Sequence, residues 1–305
     1  MLIVDPNNQE LSKKLSKALS IDIFYPEIHV FPDGERRIRI NQNVANKSAA
    51  ILKSISTPVE TNLLEFCFTV DALRRNGINN IFGIITYLGY SRADHIFRVG
   101  EAVPLEVVIK ILEASGVDKV LLIDPHSIKT PELFHVDVQV ESALSLFGRK
   151  IKEIESDKNN ISVVSPDMGG IRRIKILSRM LGGVKEATIN KDRDLQTGEL
   201  KNLGVEGNLN SKCFIVDDMI STGGTMTEAI DAVTEKGVEE VYVFVTHPVL
   251  SGDAPKVLQN SKAKKVFMTD TINIPENKRF PKLEILSVAP IIASKIQEWI
   301  KNFSV

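Results

Sequence analysis

The chain has 305 residues, 43% hydrophobic and 25% charged, the proportions of an ordinary folded protein with room for two domains of roughly 100–200 residues each. Its 38 Lys and Arg oppose 39 Asp and Glu for a net charge of −1, which argues against bulk electrostatic attraction to nucleic acid or to an anionic membrane. No uncharged apolar run reaches the ~18 residues of a transmembrane helix, the opening stretch MLIVDPNNQELSKKLSKALS lacks the regions of a signal peptide, and two isolated cysteines, Cys67 and Cys213, read as buried thiols of a reducing compartment rather than a disulfide or zinc site, so the expected location is the cytoplasm.

In chain order, β-rich runs alternate with helical patterns. LIVD (2–5) precedes a helix over 8–19, AAILKSI (49–55) one over 60–75, and NIFGIITYL (80–88) one over 104–115. KVLLID (119–124) is followed by a helix over 139–152, ISVVS (161–165) by 169–181 and CFIVDD (213–218) by 223–236. EVYVFVTH (240–247) and KVFMTD (265–270) lead to a last helix over 289–302. Several of these strands are continuous apolar runs, as strands covered on both faces must be. The alternation predicts an α/β fold with mainly parallel sheets.

Three helix-to-strand joints resemble one another, each with a glycine suited to the left-handed conformation that ends a helix: Gly77, Gly116 and Gly237. The second and third extend the likeness, because Gly116 and Gly237 each stand ten residues before a histidine, His126 and His247. Two halves of similar structure are therefore expected, divided near 145–160, where the charged segment KEIESDKNN precedes a new strand. The polar stretch 192–210, DRDLQTGELKNLGVEGNLN, reads as a mobile loop or hairpin of the sort that covers active sites.

The sharpest motif is FIVDDMISTGGT (214–225). An apolar strand runs into Asp217 and Asp218, and Ser221, Thr222, Gly223, Gly224 and Thr225 lead into a helix. Small residues at a helix N-terminus let backbone N–H groups converge on an anion, hydroxyls add donors, and paired carboxylates accept from vicinal sugar hydroxyls. Together they describe a site for a ribose phosphate. Other candidates are less decided by their residues alone. Asp167, ahead of Gly169 and Gly170, suits either helix capping or a metal beside a glycine turn. His126 reads as a hydrogen-bonded loop histidine, and Lys191 with Arg193 as a solvated pair. The Asp-Gly of FPDGE (31–35) signals a hairpin turn.

The loop at 214–225 resembles the phosphoribosyl diphosphate signature of type I phosphoribosyltransferases. FPDGE, GYSRADHIFRVGEAVP (89–104), IDPHS (123–127), SPDMGG (165–170), INKDR (189–193), THPVLSG (246–252) and LSVAP (286–290) narrow it. Their order is that of the ribose-phosphate pyrophosphokinase family, over essentially the whole chain. The resemblance implies two similar phosphoribosyltransferase-like domains, 1–145 and 146–288, each a mainly parallel sheet flanked by helices, with the C-terminal helix of 289–305 packing back on the first. It implies transfer of the diphosphoryl group of ATP to the 1-hydroxyl of ribose 5-phosphate, giving phosphoribosyl diphosphate and AMP. It also implies site roles: Lys191 and Arg193 in catalysis; Phe31, Asp33, Glu35, Arg92 and Asp94 for ATP; Asp217, Asp218 and Ser221 to Thr225 for ribose 5-phosphate; Asp167, Gly169 and Gly170 for diphosphate; and His126 with Asp167 for Mg2+. FPDGE serves a neighbouring subunit in the family, so a homo-oligomer, dimer or hexamer, is expected, with neither nucleic acid nor membrane as partner.

This chain departs from the family pattern in places. The usual Arg-Gln-Asp reads Arg92-Ala93-Asp94, which removes a polar contact to the nucleotide. The usual Asp-Leu-His reads Asp124-Pro125-His126, where proline fixes φ and deletes an N–H. One cation of the catalytic run has become Asp192, and Ser221 stands where many members carry Asp. The Gln-to-Ala departure keeps a non-catalytic regulatory subunit of a synthetase in view, and the ribose-phosphate loop, which phosphoribosyltransferases share, keeps a base-attaching phosphoribosyltransferase as a further alternative.

Overall fold

The computed structural model describes residues 1–41, 48–96, 98–193 and 200–303, with the backbone only at 191–193, 200–203 and 302–303. It divides into two compact units, the first Met1–Ser142 with Thr271–Asn273 and Ser287–Val305, the second Ala143–Asp270 with Ile274–Leu286.

The first unit runs β1 (Leu2–Val4), α1 (Gln9–Leu19), β2 (Ile23–Phe24), a hairpin of β3 (Glu27–Val30) and β4 (Arg36–Arg39), β5 (Ser48–Ser54), α2 (Val59–Arg75), β6 (Asn80–Tyr87), α3 (Pro104–Ala114), β7 (Lys119–Ile123) and β8 (Asp137–Glu141). The second runs α4 (Leu144–Ile154), β9 (Ile161–Ser165), α5 (Ile171–Met180), β10 (Lys185–Arg193), β11 (Leu200–Gly207), β12 (Lys212–Ile220), α6 (Gly224–Glu235), β13 (Glu240–Pro248), α7 (Ala254–Asn260), β14 (Lys265–Thr269) and β15 (Leu283–Leu286). The chain then returns to the first unit as α8 (Ala289–Phe303).

The first sheet has the order β2-β1-β5-β6-β7-β8, every neighbouring pair parallel. The second has the order β11-β10-β9-β12-β13-β14-β15, parallel except for the β10–β11 hairpin. The two orders follow one scheme. The chain steps outward from the first strand (β1 to β2, β9 to β10), returns to that strand's other side (β5, β12), and continues outward. Each sheet thus has a switch point, between β1 and β5 in one and between β9 and β12 in the other. At such points the carboxyl ends of the strands open the crevice where α/β proteins bind ligands.

Apolar strands carry this arrangement because helices cover both faces. In the first unit α2 and α3 bring Phe66, Val70 and Leu112 against Ile51, Ile85 and Val120. On the opposite side α8 packs against α1, Trp299 stacks on Phe82 at 4.7 Å, and its indole N–H donates to Gln139 Oε1 at 3.1 Å. In the second unit α6 and α7 supply Ile230, Val233 and Leu258 over Val243 and Val266, and α4 and α5 supply Phe147, Ile151 and Leu177 over Phe214, Phe244 and Phe267. Each such side chain contributes about 1.5–3 kcal/mol by leaving water.

The α/β architecture and its parallel strands agree with the sequence. Two local readings change, and a third is narrowed to one of its alternatives. Residues 137–141 are strand rather than the start of a helix over 139–152, because DVQVE alternates and pairs with β7, and the helix begins at Leu144. The polar stretch 192–210 is mostly hairpin: β10 reaches Arg193 and β11 resumes at Leu200, while 194–199 lie outside the described residues. The likeness between the Gly116 and Gly237 joints does not mark equivalent positions. Gly237 leads into β13, which matches β6 in the shared strand order, so its counterpart is Gly77.

Candidate active site

In the second unit the site is built at the switch point from the ends of β9 and β12. After β9 the chain makes a tight turn, Met168–Gly170, capped by Asp167, whose Oδ1 accepts the Gly170 N–H at 3.2 Å. Ser165 Oγ donates to the Asp167 carbonyl at 2.7 Å. A Cβ on Gly170 would lie 2.2 Å from Ser165 Oγ, so only glycine fits there. Asp167 therefore does perform the capping role that its position allowed.

Asp217 and Asp218 lie near the carboxyl end of β12, ahead of Met219 and Ile220. Arg173, on the first turn of α5, spans them, with Nη1 3.1 Å from Asp217 Oδ1 and Nη2 3.3 Å from Asp218 Oδ1. Its side chain is only 16% exposed. Burial raises the Asp217 pKa well above its ordinary value, and the negative charges of Asp218 and Asp167 add to the rise against the opposing Arg173 guanidinium. Arg173 thus pairs with two adjacent carboxylates, and the charge of Asp167 acts on the first of them. Such an arrangement suits a ligand that brings hydroxyl donors or a cation.

Beyond Ile220 the chain turns through Ser221, Thr222 and Gly223 into α6. Gly223 sits at φ +88°, a conformation open to glycine at little cost. It occupies the N-cap with no side-chain cap hydrogen bond at the helix N-terminus, which suits an anion. Ser221 is held from behind, its Oγ donating to Ser251 Oγ at 3.1 Å and its carbonyl accepting the Ser251 N–H at 2.9 Å. Thr222, Gly224 and Thr225 are exposed.

β10 lies parallel to β9 with Thr188 opposite Ser165, so its continuation carries the backbone of Lys191 and Arg193 past the start of the Asp167 turn. The register of β10 against β11 shifts between Asp192 and Arg193, which interrupts the simple alternation the Lys-x-Arg spacing suggested. The side chains of both residues lie outside the described part of the structure.

In the first unit, FPDGE forms the tip of the β3–β4 hairpin. The Phe31 N–H donates to the Glu35 carbonyl at 2.8 Å, the Gly34 N–H to the Phe31 carbonyl at 2.9 Å, and the Glu35 N–H to Asp33 Oδ1 at 3.1 Å. The phenyl ring of Phe31 is exposed, edge-on to His29 at 4.6 Å and beneath the Arg37 guanidinium at 5.7 Å. Arg92 lies exposed on a turn after β6, closed by the Ala93 N–H donating to the Tyr90 carbonyl at 2.8 Å. The Tyr90 hydroxyl binds Glu60. Asp94 lies 2.6 Å from His95 Nδ1. Burial pushes its pKa up, but hydrogen bonds from His95 and Ser127 outweigh this and hold it below its ordinary value. Ser127 belongs to the loop of His126, so the Arg92–Asp94 turn and the IDPHS loop are brought together. His126 is exposed on that loop, just beyond Asp124 at φ +37°.

Sequence reasoning missed Arg173 and Ser127. Two adjacent acids near the end of a buried strand demand a cation, but Arg173 stands 44 residues before Asp217, on α5, and only tertiary placement brings it to them. His247 is buried within β13 beside Met219, in keeping with a structural part. Both cysteines are free and buried. Burial raises the Cys67 thiol to about 11 and also raises Cys213.

For magnesium, the donor set is open rather than a cage. No group of three or more His, Cys, Asp or Glu gathers among the described residues. Magnesium commonly takes one or two protein carboxylates and completes its shell with water and substrate phosphates. The negative charges of Asp218 and Asp167 acting on Asp217 fit a cation there.

The two sheets with one strand scheme, and the acid pair running into a glycine-opened helix, define a phosphoribosyltransferase-like α/β protein. Family models agree: that of the N-terminal domain of ribose phosphate pyrophosphokinase matches residues 1–116, and that of the phosphoribosyl transferase domain matches 140–284. Ribose-phosphate pyrophosphokinase 1 of Streptococcus agalactiae is 35% identical over 294 residues, covering 95% of this chain and 90% of that protein. The ribose-phosphate pyrophosphokinase of Fusobacterium nucleatum is 36% identical over 302 residues, 98% and 94%. The crystal structure of phosphoribosylpyrophosphate synthetase from Mycobacterium smegmatis matches with a TM-score of 0.92 at 31% identity, covering 99% of each chain. The chain belongs to the ribose-phosphate pyrophosphokinase family.

Proposed function

We propose that this enzyme is a working ribose-phosphate diphosphokinase whose acceptor site is the switch point of the second sheet. The observation that carries the reading is the Asp217–Asp218 pair, bridged by Arg173 and followed by the glycine-opened N-terminus of α6. Ribose 5-phosphate fits this order of groups. Its hydroxyls replace water at the two carboxylates, and its phosphate meets the N–H groups and hydroxyls of Ser221 to Thr225. The turn of Asp167, Gly169 and Gly170 receives the diphosphate. Phe31 stacks on adenine while Asp33 and Glu35 accept from its amine, and Arg92 pairs with the nucleotide phosphates beside Asp94.

The reaction joins the 1-hydroxyl oxygen of ribose 5-phosphate to the β-phosphorus of ATP. The bond from that phosphorus to the oxygen bridging the α-phosphate breaks, and AMP leaves with the electron pair. Charge is the obstacle, because a polyanionic donor meets an anionic acceptor. Lys191 and Arg193 close over the transferring group and stabilise the charge that develops on it. Mg2+, held by His126 and Asp167, would supply further neutralisation of the phosphates. The enzyme acts in the cytoplasm as a homo-oligomer, dimer or hexamer, in which FPDGE serves a neighbouring subunit.

The test is product analysis with ATP, ribose 5-phosphate and magnesium, alongside Lys191→Ala. Equimolar AMP and phosphoribosyl diphosphate are expected, with Lys191→Ala losing about 10²–10³-fold in kcat at little change in KM. A wild type that binds ribose 5-phosphate yet stays inert over a broad range of nucleotides and metals would make the chain a regulatory subunit instead. In that case Ala93→Gln is the first restoration to try, since Ala93 lacks the amide that the family places beside the nucleotide.

A further inference from the structure

The switch point of the first sheet holds a second charged cluster, and the mechanism above makes no use of it. Lys53, in β5, is 4% exposed. Its Nζ lies 2.7 Å from Glu65 Oε2 and 3.2 Å from Asp5 Oδ2. Asp5 also accepts the Asn7 N–H at 2.9 Å. Glu65, in α2, has a second bond: its Oε1 accepts from Arg36 Nη1 at 2.8 Å. Two cations and two carboxylates therefore balance one another, and both oxygens of Glu65 are committed.

Arg36 is where this cluster meets the hairpin. It opens β4 directly opposite Val30, so Val30 and Arg36 form the last rung before the FPDGE tip. The β3–β4 hairpin is a two-stranded sheet of its own. An isolated hairpin is marginal in water and takes its orientation from what it rests on. Ile40, just past β4, packs into the core of the unit, and β4 lies against α2. The charged anchor nearest the tip is the Arg36–Glu65 pair, and Lys53 and Asp5 hold Glu65 fixed from beneath.

We infer that Arg36, through Glu65 and Lys53, is a positioning residue for nucleotide binding, one that sets the aim of the Phe31–Glu35 tip. This rests on the reading of that tip as the adenine site. Arg36 itself touches no substrate. The buried ion network transmits the rigidity of the sheet to a hairpin that is otherwise free to tilt, and a small tilt at the tip displaces the base.

Steady-state kinetics of the full enzyme test this with Arg36→Met, Arg36→Lys, Phe31→Ala and the Arg36→Met/Phe31→Ala double variant. Arg36→Met is expected to raise the KM for ATP about tenfold, as loss of alignment does, and to leave the KM for ribose 5-phosphate within about twofold. Arg36→Lys keeps a charge that reaches Glu65 and recovers part of the loss. In the Phe31→Ala background the effect of Arg36→Met shrinks, because both act through one tip. The inference is overturned if Arg36→Met moves both KM values and kcat together in step with a lowered Tm, or costs as much with Phe31 absent as present. Phe31→Ala raising the KM for ATP while Arg36→Met is silent overturns the inference alone. Phe31→Ala leaving the KM for ATP unchanged removes the adenine reading, and the inference with it.

Discussion

The two units place charge at the same point of one topology and treat it in opposite ways. At the β1/β5 switch point Asp5 and Glu65 meet Lys53 and Arg36, so every charge has a counter-charge. At the β9/β12 switch point Arg173 bridges Asp217 and Asp218, yet burial and the negative charges of Asp218 and Asp167 still hold the Asp217 pKa well above its ordinary value. A buried, balanced network is part of the protein's own architecture. A surplus of negative charge acting on one buried carboxylate suits a ligand that brings hydroxyl donors or a cation. The difference is what favours the second of two like crevices as the proposed substrate site.

The largest expected effect lies on the balanced side. Lys53→Met removes the cation between two buried carboxylates, and breaking a buried pair in this way costs about 3–5 kcal/mol. Urea unfolding of the variant should show a midpoint shift of that size. If stability stays within experimental error of wild type, the balance at β1/β5 is incidental and the comparison fails.

Asp217→Asn should do the reverse. Removing one of the surplus acids leaves stability at pH 7 equal to or above wild type, while kcat/KM for ribose 5-phosphate falls. The loss of a hydrogen bond to a charged group, about 1.5–3 kcal/mol, makes that fall about ten- to a hundredfold. The pH dependence sharpens this. The Asp217 pKa is raised in the folded state, chiefly by burial and by Asp218. The folded protein therefore binds the proton more tightly than the unfolded chain. Its contribution favours folding at low pH and is lost as pH rises from the unfolded value to the folded one. Wild type and Asp217→Asn should match in the acid range and diverge above it in favour of the variant. Divergence in favour of wild type would contradict the surplus.

Much of this comparison was open to inspection in the sequence, and its key pairings were not. Continuous apolar runs such as KVLLI and CFIV marked the covered strands, and DD followed by STGGT marked a strand end feeding a helix. β8 escaped because DVQVE is half polar. Its Gln139 and Glu141 meet Trp299 and Lys295, some 160 residues along the chain in the case of Gln139 and Trp299. The lysine inside AAILKSI and the aspartate ending LIVD were signals left unread. A charge in a strand covered on both faces has to find a partner. That the partners are Glu65 on α2 and Arg36 on a hairpin follows from tertiary placement. Arg173 was hidden for the same reason.

A smaller effect tests the turn between these groups. Gly170→Ala places a methyl 2.2 Å from Ser165 Oγ and 3.2 Å from Arg173 Nη1. Relieving such a clash costs about 1–3 kcal/mol. It also displaces Arg173 from the acid pair, so kcat/KM for ribose 5-phosphate should fall with stability. Ser165→Gly in the same chain removes the nearest clashing atom and should return part of both. A double variant no better than Gly170→Ala would show that the turn fails for another reason.

The smallest expected effect comes from the first unit and carries the opposite sign to Asp217. The Asp94 pKa is lowered, since hydrogen bonds from His95 and Ser127 outweigh the cost of its burial. Asp94 therefore contributes stability above the unfolded-state value, and this is lost as pH falls through the folded one. Asp94→Asn should cost about 0.5–1.5 kcal/mol at pH 7, toward the lower end because the His95 ring is 61% exposed. The cost should vanish in acid, where both proteins carry a neutral side chain. Measured side by side across pH, Asp94→Asn and Asp217→Asn should then diverge from wild type in opposite directions, one destabilised and one relieved. Two carboxylates of one chain would be separated by whether their surroundings already satisfy them. If both variants deviate in the same direction, the pH dependence reflects overall charge and not these two environments.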